Sequence, residues 1–170
     1  GQQVMVISHV GDHADARPRW DRDVARLRLR RGRLQARDVH AVVSDAGIDV
    51  APEHVVAGCG GKPFIGYAVL SVTEYGAGHE VVFPNPGFPI YESQVRAMGA
   101  VPVPIYLRES RGFNFDPAEL EAKITPKTKL LILNSPQNPT GGIVSKRDME
   151  AIAAILARHP EIWVYADEIY

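Results

Sequence analysis

From about residue 46 onward, short runs of apolar, β-favouring residues alternate with stretches whose apolar positions recur at helical spacing. The runs at 55–57, 80–83, 101–106, 129–134 and 162–166 are predicted strands. Several lack polar residues at alternate positions, as strands buried on both faces do. Between them, 63–72, 91–98 and 145–158 carry helical periodicity, and in the last Met149, Ile152, Ile155 and Leu156 line one face. Asp116-Pro117-Ala118-Glu119 begins a further helix, with a capping side chain, a proline at the first helical position and an acidic residue at N3. Ser145-Lys146-Arg147-Asp148 has a similar outline. This alternation predicts an α/β fold, a mostly parallel sheet flanked by helices.

Residues 1–45 follow a different pattern. Nine arginines, from Arg17 to Arg37, interrupt any wide apolar face, and only Val24, Leu27 and Leu34 hint at a helical stripe, whereas the first lysine is Lys62. Such a segment reads as a solvated helix or lead-in; the alternative is an arginine-rich arm for anionic partners. The whole chain carries 19 basic and 20 acidic residues, a net charge of -1, so no global field recruits nucleic acid or an anionic membrane. The apolar run at 4–7 is too short for the hydrophobic region of a signal peptide, and no stretch approaches the roughly 20 apolar residues of a membrane span. Cys59 is the single cysteine, which excludes an internal disulfide and a multi-cysteine metal site and fits a reducing cytoplasm. The expectation is a cytoplasmic protein without metal, nucleic-acid or membrane partners.

Four segments carry candidate chemistry. Asn134-Ser135-Pro136-Gln137-Asn138-Pro139-Thr140-Gly141-Gly142 follows the apolar strand at its carboxyl end, where parallel α/β sheets bind ligands, although these are also the commonest turn residues. Trp163-Val164-Tyr165-Ala166-Asp167-Glu168-Ile169-Tyr170 runs a strand into two carboxylates. A carboxylate there can hold a protonated ring nitrogen, or simply cap the next helix. Gly58-Cys59-Gly60-Gly61-Lys62-Pro63 lies before a helix whose free amides suit a phosphate. It is neither a Walker loop nor a G-x-G-x-x-G fingerprint. Phe83-Pro84-Asn85-Pro86-Gly87-Phe88-Pro89-Ile90-Tyr91 is a strand followed by a rigid turn, in which Phe88 can offer a ring face to a flat ligand or merely pack in the core.

In this order, the four segments resemble the large domain of the fold-type-I, class I and II aminotransferases, over about residues 46–170. The resemblance implies pyridoxal 5'-phosphate as cofactor, with the amides around Gly60, Gly61 and Lys62 receiving its phosphate and Phe88 stacking on its ring. It also implies Asn138 and Tyr170 on the phenolic oxygen, Asn138 near the substrate, and Asp167 as the catalytic partner of the pyridinium nitrogen. Tyr91 is expected at most to support the site. The implied activity is transfer of an amino group between an α-amino acid and a 2-oxo acid, by a homodimer when complete.

The Schiff-base lysine of that family is expected beyond Tyr170, since none of Lys62, Lys123, Lys127, Lys129 and Lys146 has the family's serine-lysine context. The chain thus reads as an incomplete large domain at 46–170 behind an atypical arginine-rich segment at 1–45. Residues 15–45 match the family's front poorly, as a shifted reading frame would. The rival readings are a non-catalytic remnant or regulatory binding domain, and another fold-type-I enzyme such as a β-lyase.

Overall fold

The computed structural model describes residues 4–7, 56 and 61–168. Of these, 4–7 and 61–168 belong to one compact unit. The predicted strand at 55–57 lies outside the described residues except for Val56, which is in neither helix nor strand, and the expected boundary at 45/46 lies outside them altogether.

Five described strands form one parallel sheet: β1 (Val4–Ile7), β2 (Glu80–Asn85), β3 (Val101–Tyr106), β4 (Thr128–Asn134) and β5 (Trp163–Asp167). Their spatial order is β1-β5-β4-β2-β3. Four described α-helices accompany them: α1 (Lys62–Val72), α2 (Ile90–Ala97), α3 (Pro117–Lys123) and α4 (Lys146–Leu156). The short run at 4–7 is therefore a strand, pairing Val4 with Val164 and Ile7 with Asp167.

Successive side chains of a strand point to opposite faces, so an uninterrupted apolar strand needs cover on both. Val81, Phe83, Leu130, Ile132 and Tyr165 pack on one face against Ile65, Ala68 and Val69 of α1 and Tyr91 and Val95 of α2. Val82, Ile105, Leu131, Leu133 and Val164 pack on the other against Leu120 of α3 and Ile152, Ile155 and Leu156 of α4. Each valine, leucine, isoleucine or phenylalanine among them, when fully buried, contributes roughly 1.5–3 kcal/mol. Met149, expected on the buried face of α4, is exposed: that helix buries a stripe only as wide as Ile152, Ile155 and Leu156.

The expected caps are present, with one change. Ser145 Oγ accepts from the Asp148 amide, and Asp116 Oδ1 accepts from the Ala118 amide. Glu119 does not complete a capping box; it turns to the edge of the sheet and accepts from the Tyr106 amide at 3.2 Å.

Among the described strands β3 stands at the margin of the sheet, and that contact belongs to a device that closes its outer side. In a parallel strand, alternate residues direct both backbone groups to the same neighbour. The amides of Val101 and Leu107 bond to His79 and Asn85 on the β2 side, so Pro102, Pro104 and Tyr106 face outward. Two of these have no amide hydrogen, and Glu119 takes the third. Lys123 Nζ donates to the Pro104 carbonyl, pairs with Glu119 at 3.0 Å and lies 4.9 Å from the centre of the Tyr106 ring. Little is left for another strand to pair with. Replacing both Pro102 and Pro104 with threonine restores two outward donors, and concentration-dependent association in sedimentation velocity is the expected outcome. An unchanged sedimentation profile would show that the prolines do not guard the edge.

Candidate functional site

The connections place a crevice between β2 and β4. From β2 the chain moves through α2 to β3, and from β4 it moves through α4 to β5, in opposite directions along the sheet. Right-handed crossovers then require α2 and α4 to lie on opposite faces, as they do. The loops leaving β2 and β4 diverge, and the opening at the strands' carboxyl ends is where α/β sheets hold ligands.

Local chemistry shapes both loops. Gly87 allows the chain to fold back on Pro84, whose carbonyl oxygen would lie only 2.1 Å from an added Cβ. After β4, the Gln137 amide donates to the Gly142 carbonyl and the Gly141 amide to the Gln137 carbonyl, with Gly141 at φ +74°. The Asn85–Pro86, Ser135–Pro136 and Asn138–Pro139 peptides are cis. The buried Gln137 side chain ties the two loops by donating from Nε2 to the Pro86 carbonyl at 2.8 Å. Asn134 ties the second loop to β5: its Oδ1 accepts from the Asn138 amide and its Nδ2 donates to the Asp167 carbonyl, both at 2.8 Å.

Asp167, at the end of β5, is 3% exposed. Desolvation disfavours a carboxylate unless donors surround it. Tyr91, itself buried, donates from its hydroxyl to Asp167 Oδ2 at 2.5 Å. Two residues earlier on the strand, burial of the Tyr165 phenol, reinforced by the Asp167 charge, pushes its pKa well above the ordinary 10.0. Tyr165 therefore stays neutral beside Asp167.

Phe88 meets Tyr91 edge-on, with ring centres 5.9 Å apart at 80°. Lys62 Nζ lies 5.7 Å from the centre of the Phe88 ring. Lys62 opens α1, where Gly61 is the cap residue and no acidic side chain occupies the first turn. The positive end of that helix is thus uncompensated by an acidic side chain of its own first turn.

Of the residues predicted from sequence, Lys62, Phe88, Asn138 and Asp167 stand around this crevice, joined through Tyr91 and Asn134, and Gly61 caps the helix that Lys62 begins. Gly60 and Tyr170 lie outside the described residues. Sequence reasoning gave Gln137 no role and Tyr91 only a supporting one. The clue for both was their place within the two loop segments; their partners, 51 and 76 residues away, left no local signal.

The site thus combines a parallel α/β sheet with a carboxylate, an aromatic ring and a helix amino end at its switch point. Comparison gives the family. Residues 35–170 match the model for "Aminotransferase class I and II", and the chain belongs to that family. The match begins at residue 35 rather than 46, so part of the segment set apart as unlike the family lies within it. An aspartate/prephenate aminotransferase of Cereibacter sphaeroides is 37% identical over 124 residues, covering 73% of this chain and 30% of that protein. A bifunctional aspartate aminotransferase and glutamate/aspartate-prephenate aminotransferase of Petunia hybrida is 40% identical over 131 residues, 77% of this chain and 27% of its own length. Among solved structures, the aspartate aminotransferase from Thermus thermophilus with maleate superposes with a TM-score of 0.71 at 32% identity, over 80% of this chain and 35% of that one. The chain thus spans less than a third of the length of these two relatives. Members of the family depend on pyridoxal phosphate.

Two outcomes follow from the geometry. Gly87→Ala forces the turn away from Pro84 and is expected to destabilise the chain by about 3 kcal/mol or more, read by thermal or urea denaturation. Because the folded chain keeps the Tyr165 proton where the unfolded chain loses it, stability should fall as pH rises above 10.0. Tyr165→Phe should flatten that alkaline decline in urea midpoints measured across pH.

Proposed function

We propose that this chain forms the cofactor-binding face of an aminotransferase that moves an amino group between an α-amino acid and a 2-oxo acid through pyridoxal 5'-phosphate. The observation that carries the reading is the buried Asp167 carboxylate, held by Tyr91 at the end of β5 in the crevice beside Phe88.

The residues fit the cofactor's chemistry. Asp167 supplies a fixed negative charge for a protonated ring nitrogen, Phe88 an aromatic surface, and α1 an amino end without an acidic residue in its first turn. When bound, pyridoxal phosphate supplies an electron sink that depends on that ring proton. In this reading Asp167 holds the proton at the ring nitrogen by a charge-assisted hydrogen bond. Phe88 orients the ring by stacking, while the amides around Gly60, Gly61 and Lys62 receive the phosphate. Asn138 and Tyr170 hydrogen-bond the phenolic oxygen, and Asn138 also borders the substrate.

The amine that shuttles the α-proton is assigned to none of the five lysines here. Lys127 and Lys129 flank Thr128 at the amino end of β4, opposite the crevice, and Lys123 is engaged on the β3 edge. Lys146 lies on the exposed start of α4 near Glu150. The names of the relatives support an acidic amino-acid donor such as aspartate. A homodimer accords with the family resemblance and with Tyr67 and Leu70 exposed on α1. A cytoplasmic location rests on the single Cys59 and the resemblance. Among the described residues no helix is long and apolar enough to cross a membrane.

Pyridoxal 5'-phosphate affinity, followed by its absorbance and fluorescence, tests the reading. Asp167→Asn should weaken binding about tenfold or more, in line with the loss of a hydrogen bond to a charged group. Equal affinity in the two proteins would sink the proposal. With a protein that also carries the lysine expected beyond Tyr170, product analysis with aspartate and 2-oxoglutarate then separates amino transfer from β-elimination.

A further inference from the structure

We propose that Tyr91 is a positioning residue for Asp167: its hydroxyl fixes the carboxylate's orientation and keeps it ionised, so removing that one oxygen weakens the hold on a cationic aromatic ring. The second half rests on the reading that Asp167 faces the cofactor's ring nitrogen; the first does not.

The case is geometric. Tyr91 is fully buried in the first turn of α2, within the apolar cluster that includes Val81, Phe83, Val95 and Tyr165. A phenylalanine would fill that space as well, so the hydroxyl needs a separate reason. It donates to the Asp167 carboxylate at 2.5 Å, joining the start of α2 to the end of β5. A donor aimed at a buried carboxylate favours its charged form and fixes its rotamer. Several described groups of the crevice near Asp167 act differently. Asn134 of β4 donates to its main-chain carbonyl, not its side chain. Tyr165, on the same strand, stays neutral, and Glu168, which follows, can only add negative charge. Lys62 of α1 places its ammonium over Phe88.

Phe88 and Tyr91 stand three residues apart at the start of α2 and touch edge to face. The turn that offers the stacking ring therefore also holds the carboxylate. Any shift of that turn moves both.

The experiment uses the full chain, its Tyr91→Phe, Asp167→Asn and double variants, and thermal melts of each. First, without cofactor, the Asp167 carboxyl is titrated by ¹³C NMR, its resonance assigned by its absence in D167N. Y91F should raise the midpoint by roughly one pH unit or more; an unchanged midpoint overturns the proposal. If Y91F fails to fold, 3-fluorotyrosine at position 91 replaces it: the more acidic phenol should lower the midpoint, and no change again overturns it.

Second, pyridoxal 5'-phosphate affinity is measured for all four proteins. Y91F should weaken binding about tenfold when Asp167 is present and leave it nearly unchanged in the D167N background. Equal losses in both backgrounds mean that Tyr91 acts by packing alone. If the parent chain binds no cofactor, the proposed function fails, while the titration still decides what Tyr91 does to Asp167.

Discussion

A carboxylate buried at the end of a strand is tolerated only where donors reach it, and Asp167 ties neighbouring elements together through both its side chain and its main chain. Tyr91 comes from α2 to the carboxylate, and Asn134 from β4 to the main-chain carbonyl. Asn134 uses its other atom to accept from the Asn138 amide, so the β4 loop is built onto the same residue. Gln137, one position earlier, reaches the loop after β2. The polar groups of the crevice therefore form one connected set, and within a low-dielectric interior such a set favours a single arrangement over many.

The sheet makes this arrangement affordable. β2, β4 and β5 are covered on both faces by helices, so their ends are held by apolar packing that does not depend on the crevice. Stability comes from the middle of the strands, while the crevice lies at their carboxyl ends, where open parallel sheets hold ligands. At its outer margin, β3 spends two prolines and two α3 side chains on blocking its free edge. Those residues carry no part of the proposed chemistry, yet they keep the sheet from pairing with neighbours.

Much of this was legible because the signals are local. Apolar runs without polar alternation marked β2, β4 and β5, and Ser145 and Asp116 marked two helix starts at their caps. β1 escaped because four apolar residues are too few to show a distinguishing period; they become a strand only by lying beside β5. Met149 fitted the helical repeat but lies just outside the stripe that the sheet covers. Glu119 was read as a cap because the cap is three residues away, whereas its partner on β3 is thirteen away and faces it only once the sheet exists. The site divided in the same manner. Turn-forming residues betrayed where the loops lay, but nothing near Tyr91 in the sequence points to Asp167.

This division explains why a stretch such as Pro86-Gly87-Phe88-Pro89-Ile90-Tyr91 is richer in meaning than its composition suggests. Gly87 is required by the approach to Pro84, the Pro86 carbonyl receives Gln137, and the Phe88 ring and Tyr91 hydroxyl face successive parts of the crevice. Four adjacent requirements leave the turn little freedom, and each would be read alone as ordinary turn or core chemistry. Such over-determination is what a preorganised site needs, because a ring and a carboxylate set in place before a ligand arrives add no ordering cost when it binds. The rigidity of this short loop is therefore as much a part of the site as the side chains it displays.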